Sequence, residues 1–370
     1  MKFKVKQFFK MFSQHIIFPM IYFLNKWKKV DGKLVVLADA HHDSCPPHML
    51  EIRDKLIEKN YKVREYFVDI SKLSSLRGLI SLAGFMRIYP SCGTVIICDN
   101  FLPVASCRKK KETKVIQLWH GCGAFKKFGY DATYDIPKGY KGNVYRNYDL
   151  VTVSGKKCIP HFESAMNAYG KVLDTGVCHT DRLFDDQYIT GCKDRFAKYY
   201  PKAKGKKVFL WAPTFRGNAG MANLVGEAEI DKLGESDKLS DAYIIKSIHP
   251  HLLEKKDSET MNTDELMVCV DVLITDYSSV FYEALLLGIP VIFFAPDYDK
   301  YSMDRGFYLE YNSLPGYVVT CFEELEKAVI KTISGEDEYK EIRDKFIGDY
   351  MLGCDGNATE RVMSIISRRM

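Results

Sequence analysis

"LITDYSSVFYEALLLGIPVIFF" (273–294) reads as one complete strand–helix–strand unit. Its first apolar run has the composition of a strand buried on both faces, and it ends at Asp276. Ser278 and Ser279 follow where a helix cap belongs, and Gly288-Ile289-Pro290 closes the apolar helix before a second Val/Ile-rich run begins. Strands joined through a helical crossover run parallel, so this one stretch predicts an α/β fold.

Outward from it, the same alternation fills the chain. Toward the C-terminus it predicts strands at 208–215, 242–250, 270–278, 288–296 and 316–320, then an amphipathic helix at 322–333 and further helix to the end. Toward the N-terminus it predicts strands at 33–39, 61–69, 94–100, 114–121, 149–155 and 171–177, with a helix at 48–59. "PKAKGKK" (201–207) interrupts the pattern as a short linker. The reading is two doubly wound, Rossmann-like domains, 31–203 and 204–370, facing a cleft, with ligands beyond the carboxyl ends of the strands. A length of 370 residues agrees with two cores.

Composition narrows the class. Apolar residues make up 46% and charged residues 27%, which fits a globular enzyme. The net charge is +5, but the first 30 residues carry seven lysines and no acid. This places the positive charge at one end and points to an anionic surface there, not to a nucleic-acid partner. Val5, Phe8, Phe9, Phe12 and Ile16 share one helical face, and Trp27 stands among Lys26, Lys28 and Lys29. The apolar run is shorter than the roughly 20 residues needed to span a bilayer. Residues 1–30 are therefore expected to form an amphipathic helix on the membrane surface; the other reading is a helix packed on the protein body. Eleven cysteines without a C-x-x-C pair argue against a disulfide framework or structural zinc, and favour a reducing cytosol.

The unusual residues fall at strand ends. Asp276, Ser278 and Ser279 stand at a helix start, where free N–H groups and two hydroxyls suit a diphosphate; ordinary capping explains one serine but not the grouping. Glu283, in the same helix, can reach a ribose hydroxyl or simply face solvent. His249 in "SIHPHL" (247–252) precedes a proline that holds its backbone extended, so its imidazole is directed, and Arg216 and Arg305 follow other strand ends as phosphate partners. On the other half, "LWHGCGAFKK" (118–127) brings His120, Gly121, Gly123, Lys126 and Lys127. His120 is either a strand-end residue stacked by Trp119 or a general base facing the diphosphate site across the cleft. "AHHDSCPPH" (40–48) is rich in His41, His42 and His48, but its spacing matches no metal site, and none is expected. No G-x-G-x-x-G and no P-loop is present, which removes the dinucleotide dehydrogenase and the P-loop NTPase. No cofactor is expected.

"QLWHGCGAFKKFG" (117–129), "LWAPTFRG" (210–217), "IHPHL" (248–252), "ITDYSSVFYEALLLGIPVIFF" (274–294), "YDKYSMDRGFY" (298–308) and "DGNATERV" (355–362), in this order, resemble the CDP-glycerol glycerophosphotransferases of teichoic acid biosynthesis. The resemblance implies a GT-B-like fold, peripheral attachment at the cytoplasmic face of the membrane, and transfer of glycerol phosphate from CDP-glycerol to a polyprenyl-linked acceptor with release of CMP. It implies an acceptor-side first domain and a CDP-donor-binding second domain. It makes His120 and His249 the essential pair, and places Arg216, Asp276, Ser278 and Ser279 on the donor. With the diphosphate on the second domain, Lys126 and Lys127 are expected to meet the anionic acceptor or the membrane. Where the family tends to read Pro-Arg after "DTG" (174–176), this chain has Val177-Cys178-His179, so an arginine contact there is lost or replaced by His179. CDP-ribitol or a nucleotide sugar remain alternative donors, and a non-catalytic membrane-surface protein is the reading from another class. The modest length favours a priming enzyme over a polymerase.

Overall fold

The computed structural model describes residues 11–69, 76–132, 135–136, 143–214, 216, 224–247 and 261–368, with backbone alone at 76–77 and 303–305. The chain forms two compact units. The first comprises Met1–His120, Tyr134–Asp181 and Gly353–Met370, and the second Gly121–Thr133 and Arg182–Leu352.

The first unit is built on a six-stranded sheet of β1 (Asp31–Asp39), β2 (Lys62–Phe67), β3 (Cys92–Ile97), β4 (Lys114–Gln117), β5 (Leu150–Thr152) and β6 (Val172–Leu173), in the order β2-β1-β3-β4-β5-β6. Every pairing is parallel. β3 is buried at every position, as expected of a strand covered on both faces. One side of this core packs Val35, Leu37, Ile96 and Ile116 against Ile52 and Leu56 from the helix Leu50–Glu58. The helix Ala358–Ser367 closes the same core with Val362, Met363 and Ile366.

The second unit carries a five-stranded parallel sheet, β7 (Lys207–Trp211), β8 (Ala242–Lys246), β9 (Val272–Thr275), β10 (Val291–Phe294) and β11 (Tyr317–Val319), in the order β11-β10-β9-β7-β8. Phe209, Trp211, Val272, Ile274 and Ile292 pack there against Leu325, Ala328 and Val329 of the helix Phe322–Ile333. Each expected strand is present; β1 ends at Asp39 as expected, and the others stop short of their expected C-terminal ends, where the chain leaves the sheet.

The units do not follow the expected break at residue 203. The chain passes into the second unit at Arg182, lends it 121–133 from the first half, and returns to the first unit at Gly353. The loan has a plain cause. Phe125 is buried and packs on Phe281, Phe307 and Tyr311, while its carbonyl accepts from Tyr308 N–H at 2.9 Å and Gly306 O accepts from Lys127 N–H at 3.2 Å.

Residues 1–10 of the expected N-terminal helix lie outside the described residues. Residues 13–24 are helical, ending in the helix Phe18–Leu24. One face packs on the first unit through Gln14, Phe18 and Tyr22, with the Tyr22 hydroxyl accepting from Lys110 N–H at 2.9 Å. The other face leaves Phe12, Ile16, Met20, Phe23, Leu24 and the following Trp27 exposed. Among the described residues no helix is long and apolar enough to cross a membrane.

Candidate functional site

The first unit holds His120 at the carboxyl end of β4. The turn carrying it is unusual, because Trp119 adopts φ = 63°, a left-handed conformation that costs a bulky residue about 1–3 kcal/mol. Local bonds hold it there. The buried Gln117 side chain accepts from Trp119 N–H at 2.9 Å and donates to Asp99 O at 3.0 Å, and Thr152 Oγ1 donates to Leu118 O at 2.9 Å. The indole packs edge-on to Phe162 and stacks on the His120 imidazole, with centroids 4.4 Å apart. The imidazole itself is exposed, with 44% of its side chain open to solvent. The strain is carried by Trp119, and it presents the stacked His120 imidazole to solvent.

Three further features gather around it. Asp99, beyond the end of β3, places Oδ2 3.6 Å from His120 Nδ1 and 3.5 Å from His41 Nε2. His42 Nδ1 lies 2.7 Å from Asp39 Oδ1. His48 from the same histidine-rich loop packs against His179, with Nδ1 atoms 3.4 Å apart, and its ring centroid is 6.3 Å from that of His120. The loop set aside for metal and the departure at His179 therefore meet at one strand-end cluster. Asp99 and Gln117 escaped the sequence reading. Their only signal is position, at the carboxyl ends of the two adjacent strands.

The second unit gathers the donor-side candidates. Asp276 is buried, accepting from Thr214 N–H at 2.8 Å, Tyr277 N–H at 2.5 Å and Arg216 Nη2 at 2.9 Å. Arg216 also bonds Asp297 through Nε at 2.8 Å and Nη2 at 2.9 Å, and donates from Nη1 to Thr214 O. Its guanidinium lies 4.8 Å from the Tyr277 ring centroid and 4.7 Å from that of Tyr301, two rings stacked 3.8 Å apart. Burial disfavours the guanidinium charge, but the two carboxylates outweigh it and hold the group more firmly protonated than usual. Burial likewise pushes the Asp297 carboxyl up, yet bonds to Arg216 and to Tyr277 OH leave it below the usual carboxylate range. Arg216 thus belongs to a network whose other half, Asp297, carried no sequence signal.

Ser278 and Ser279 lie in the turn before the helix Phe281–Leu286, whose N-cap is Val280, and Ser278 Oγ accepts from Val280 N–H at 3.4 Å. Gly121 backs onto this turn, since a Cβ there would lie 3.3 Å from Ser279 Oγ. Lys126 and Lys127 are half-buried in the same unit, Lys126 bridging to Phe307. Glu283 is half-buried in the helix. Arg305 ends the helix Tyr298–Arg305, its side chain outside the described residues, and His249 lies outside them altogether.

A family model described as CDP-glycerol:poly(glycerophosphate) glycerophosphotransferase matches residues 20–368. The chain is 32% identical over 358 residues to the teichoic acid ribitol-phosphate primase of Bacillus spizizenii, covering 90% of each chain. It is 34% identical over 313 residues to the teichoic acid poly(ribitol-phosphate) polymerase of the same organism, covering 79% of this chain and 50% of that protein. It is 29% identical over 293 residues to the teichoic acid glycerol-phosphate primase of Bacillus subtilis, covering 74% and 73%. In fold it is similar to the wall teichoic acid polymerase TagF, with a TM-score of 0.71 at 22% identity over 98% of both chains. With its matched model and its strand-end residues in their expected order, the chain belongs to the CDP-glycerol:poly(glycerophosphate) glycerophosphotransferase family.

Proposed function

We propose that the protein transfers a polyol phosphate from a CDP-polyol to a hydroxyl of a lipid-linked teichoic acid acceptor, releasing CMP. His120 removes the proton of the acceptor hydroxyl. The freed oxygen attacks the phosphorus that bears the polyol, and the bond from that phosphorus to the bridging oxygen breaks, so CMP leaves with the bridging oxygen. His249, Ser278, Ser279 and the backbone of their turn stabilise charge on the diphosphate, and Glu283 and Arg305 complete the donor contacts. Arg216 keeps its partners Asp276 and Asp297 ordered at the edge of that site. Lys126 and Lys127, folded with the Asp-Tyr-Ser-Ser turn, offer cations to an anionic substrate.

CDP-ribitol is the donor the relatives favour, because the match to a ribitol-phosphate primase extends over 90% of both chains. That observation carries the reading, and it also supports a priming enzyme. CDP-glycerol, expected from the sequence, is the second reading and rests on the description of the matching family model. Attachment at the cytoplasmic face of an anionic membrane would use the exposed Phe12, Ile16, Met20, Phe23, Leu24 and Trp27 together with nearby lysines.

The test is CMP release by the purified protein from CDP-ribitol, CDP-glycerol and a nucleotide sugar, with a polyprenyl-linked acceptor in detergent. Turnover with CDP-ribitol above that with CDP-glycerol is the expected result. The reverse order returns the donor to glycerol, and release from the nucleotide sugar alone sinks polyol phosphate transfer.

A further inference from the structure

We infer that Asp99 is the positioning residue of His120. It holds the imidazole with its proton on Nδ1 and leaves Nε2 as the basic atom. The inference rests on His120 acting as the base.

The sheet order produces the arrangement. β1, β3 and β4 are neighbours and parallel, with Ala38 opposite Ile97 and Ile97 opposite Gln117. His41, Asp99 and His120 each lie two or three residues beyond those paired positions, so the three side chains emerge side by side at one sheet edge, with the carboxylate in the middle. Asp99 Oδ2 faces His41 Nε2 at 3.5 Å and His120 Nδ1 at 3.6 Å. These separations exceed a hydrogen bond but lie within ion-pair range, and such contacts commonly shorten when substrate binds.

The carboxylate is also held in place. Asp99 Oδ1 accepts from Asn100 N–H at 2.6 Å, and its carbonyl accepts from Gln117 Nε2 at 3.0 Å. Because the same Gln117 amide accepts from Trp119 N–H, one buried side chain sets the separation between the carboxylate and the turn bearing His120. The stacked Trp119 ring fixes the remaining freedom of the imidazole. Among the described residues of this unit, His41 shares the carboxylate oxygen, His48 lies 6.3 Å away ring to ring, and Cys98 and Tyr148 also interact electrostatically with Asp99. A carboxylate beside Nδ1 fixes the tautomer and stabilises the imidazolium formed when Nε2 takes the acceptor proton.

The experiment reads the tautomer and the kinetics together. Nitrogen-15 NMR of labelled imidazoles, with His120 assigned through His120→Gln, is recorded on the full chain for the wild type, Asp99→Asn and Asp99→Glu. The wild type is expected to carry its neutral-form proton on Nδ1. Asp99→Asn should shift the proton toward Nε2 and lower kcat by at least about tenfold with the donor KM within about twofold, while Asp99→Glu restores part of both. A wild-type proton on Nε2 overturns the inference without any variant. So does an Asp99→Asn enzyme that keeps more than about half its kcat, or one that loses kcat with the tautomer unmoved. If the wild type transfers nothing from any CDP-polyol, the functional reading fails, and the tautomer still decides the link between Asp99 and His120.

Discussion

Gly123 shows how a single residue commits a segment to its unit. It sits at φ = +69°, and a Cβ there would lie 1.9 Å from Cζ of Tyr282, so the chain passes flat against the tyrosine ring. Only glycine offers both the conformation and the space. Gly123→Ala is expected to destabilise the second unit by about 1–3 kcal/mol or more through strain and displaced packing, measured by urea unfolding; an unchanged midpoint would mean that the ring moves aside freely. Asp297 makes a prediction in pH. Its folded carboxyl titrates below the unfolded value of about 3.9, so its contribution is fully present above that value and is lost as pH falls through the folded one. Asp297→Asn should therefore unfold at lower urea than the wild type at pH 7, and the two midpoints should approach each other as pH falls below the unfolded value and through the folded one. A gap that stays constant across this range would assign the loss to shape and not to charge.

Among elements, the two chain ends carry more than a reading by periodicity suggests. "DGNATERV" (355–362) resembles part of a site signature, yet its visible work is structural. Asp181 accepts from Ala358 N–H at 3.0 Å and Thr359 N–H at 2.7 Å, which satisfies the start of the helix Ala358–Ser367. Arg361 Nε donates to Thr175 O at 2.7 Å and its guanidinium pairs with Asp355, so the clasp between "DTG" and this helix joins one chain end to the first sheet. Burying Val362, Met363 and Ile366 adds about 1.5–3 kcal/mol each to the first core. At the other end, the helix Phe18–Leu24 is anchored by Tyr22, whose hydroxyl is pushed up to about 12 mainly by burial, while Phe23 and Leu24 are 73% and 64% exposed. Phe23→Ser with Leu24→Ser should reduce sedimentation with anionic phosphatidylglycerol vesicles several-fold without lowering the unfolding midpoint. Unchanged sedimentation would remove this face from the membrane reading.

For the whole molecule, the match over 90% of a primase and 50% of a polymerase bears on product length. With a defined lipid acceptor and excess CDP-ribitol, mass spectrometry is expected to find one or a few polyol phosphate units added. A distribution of long chains would instead make this a polymerase. The organisation behind either outcome was partly legible in advance. Among the described residues, all eleven strands lie inside or beside the runs read from Val/Ile-rich segments, because a parallel strand covered on both faces needs continuous apolar residues. The candidate residues at strand ends were legible for the same reason, since the chain leaves the sheet where the apolar run stops. Asp99, Gln117 and Asp297 were not, because an aspartate or glutamine near a strand end has no periodic mark and gains meaning only from its neighbour in space.

Strand order along the chain, the parallel α/β class and the family follow from the sequence by itself, because burial periodicity and motif spacing are local properties of the chain. Which segments share a unit was settled only by tertiary structure. The 121–133 segment follows a first-unit strand yet packs by Phe125 on Phe281 and Tyr311, and 353–370 follows the second sheet yet closes the first core. Both are decided by apolar contacts between residues far apart in sequence. The same holds for His120, whose tryptophan and glycine neighbours are local, but whose carboxylate partner arrives from the adjacent strand.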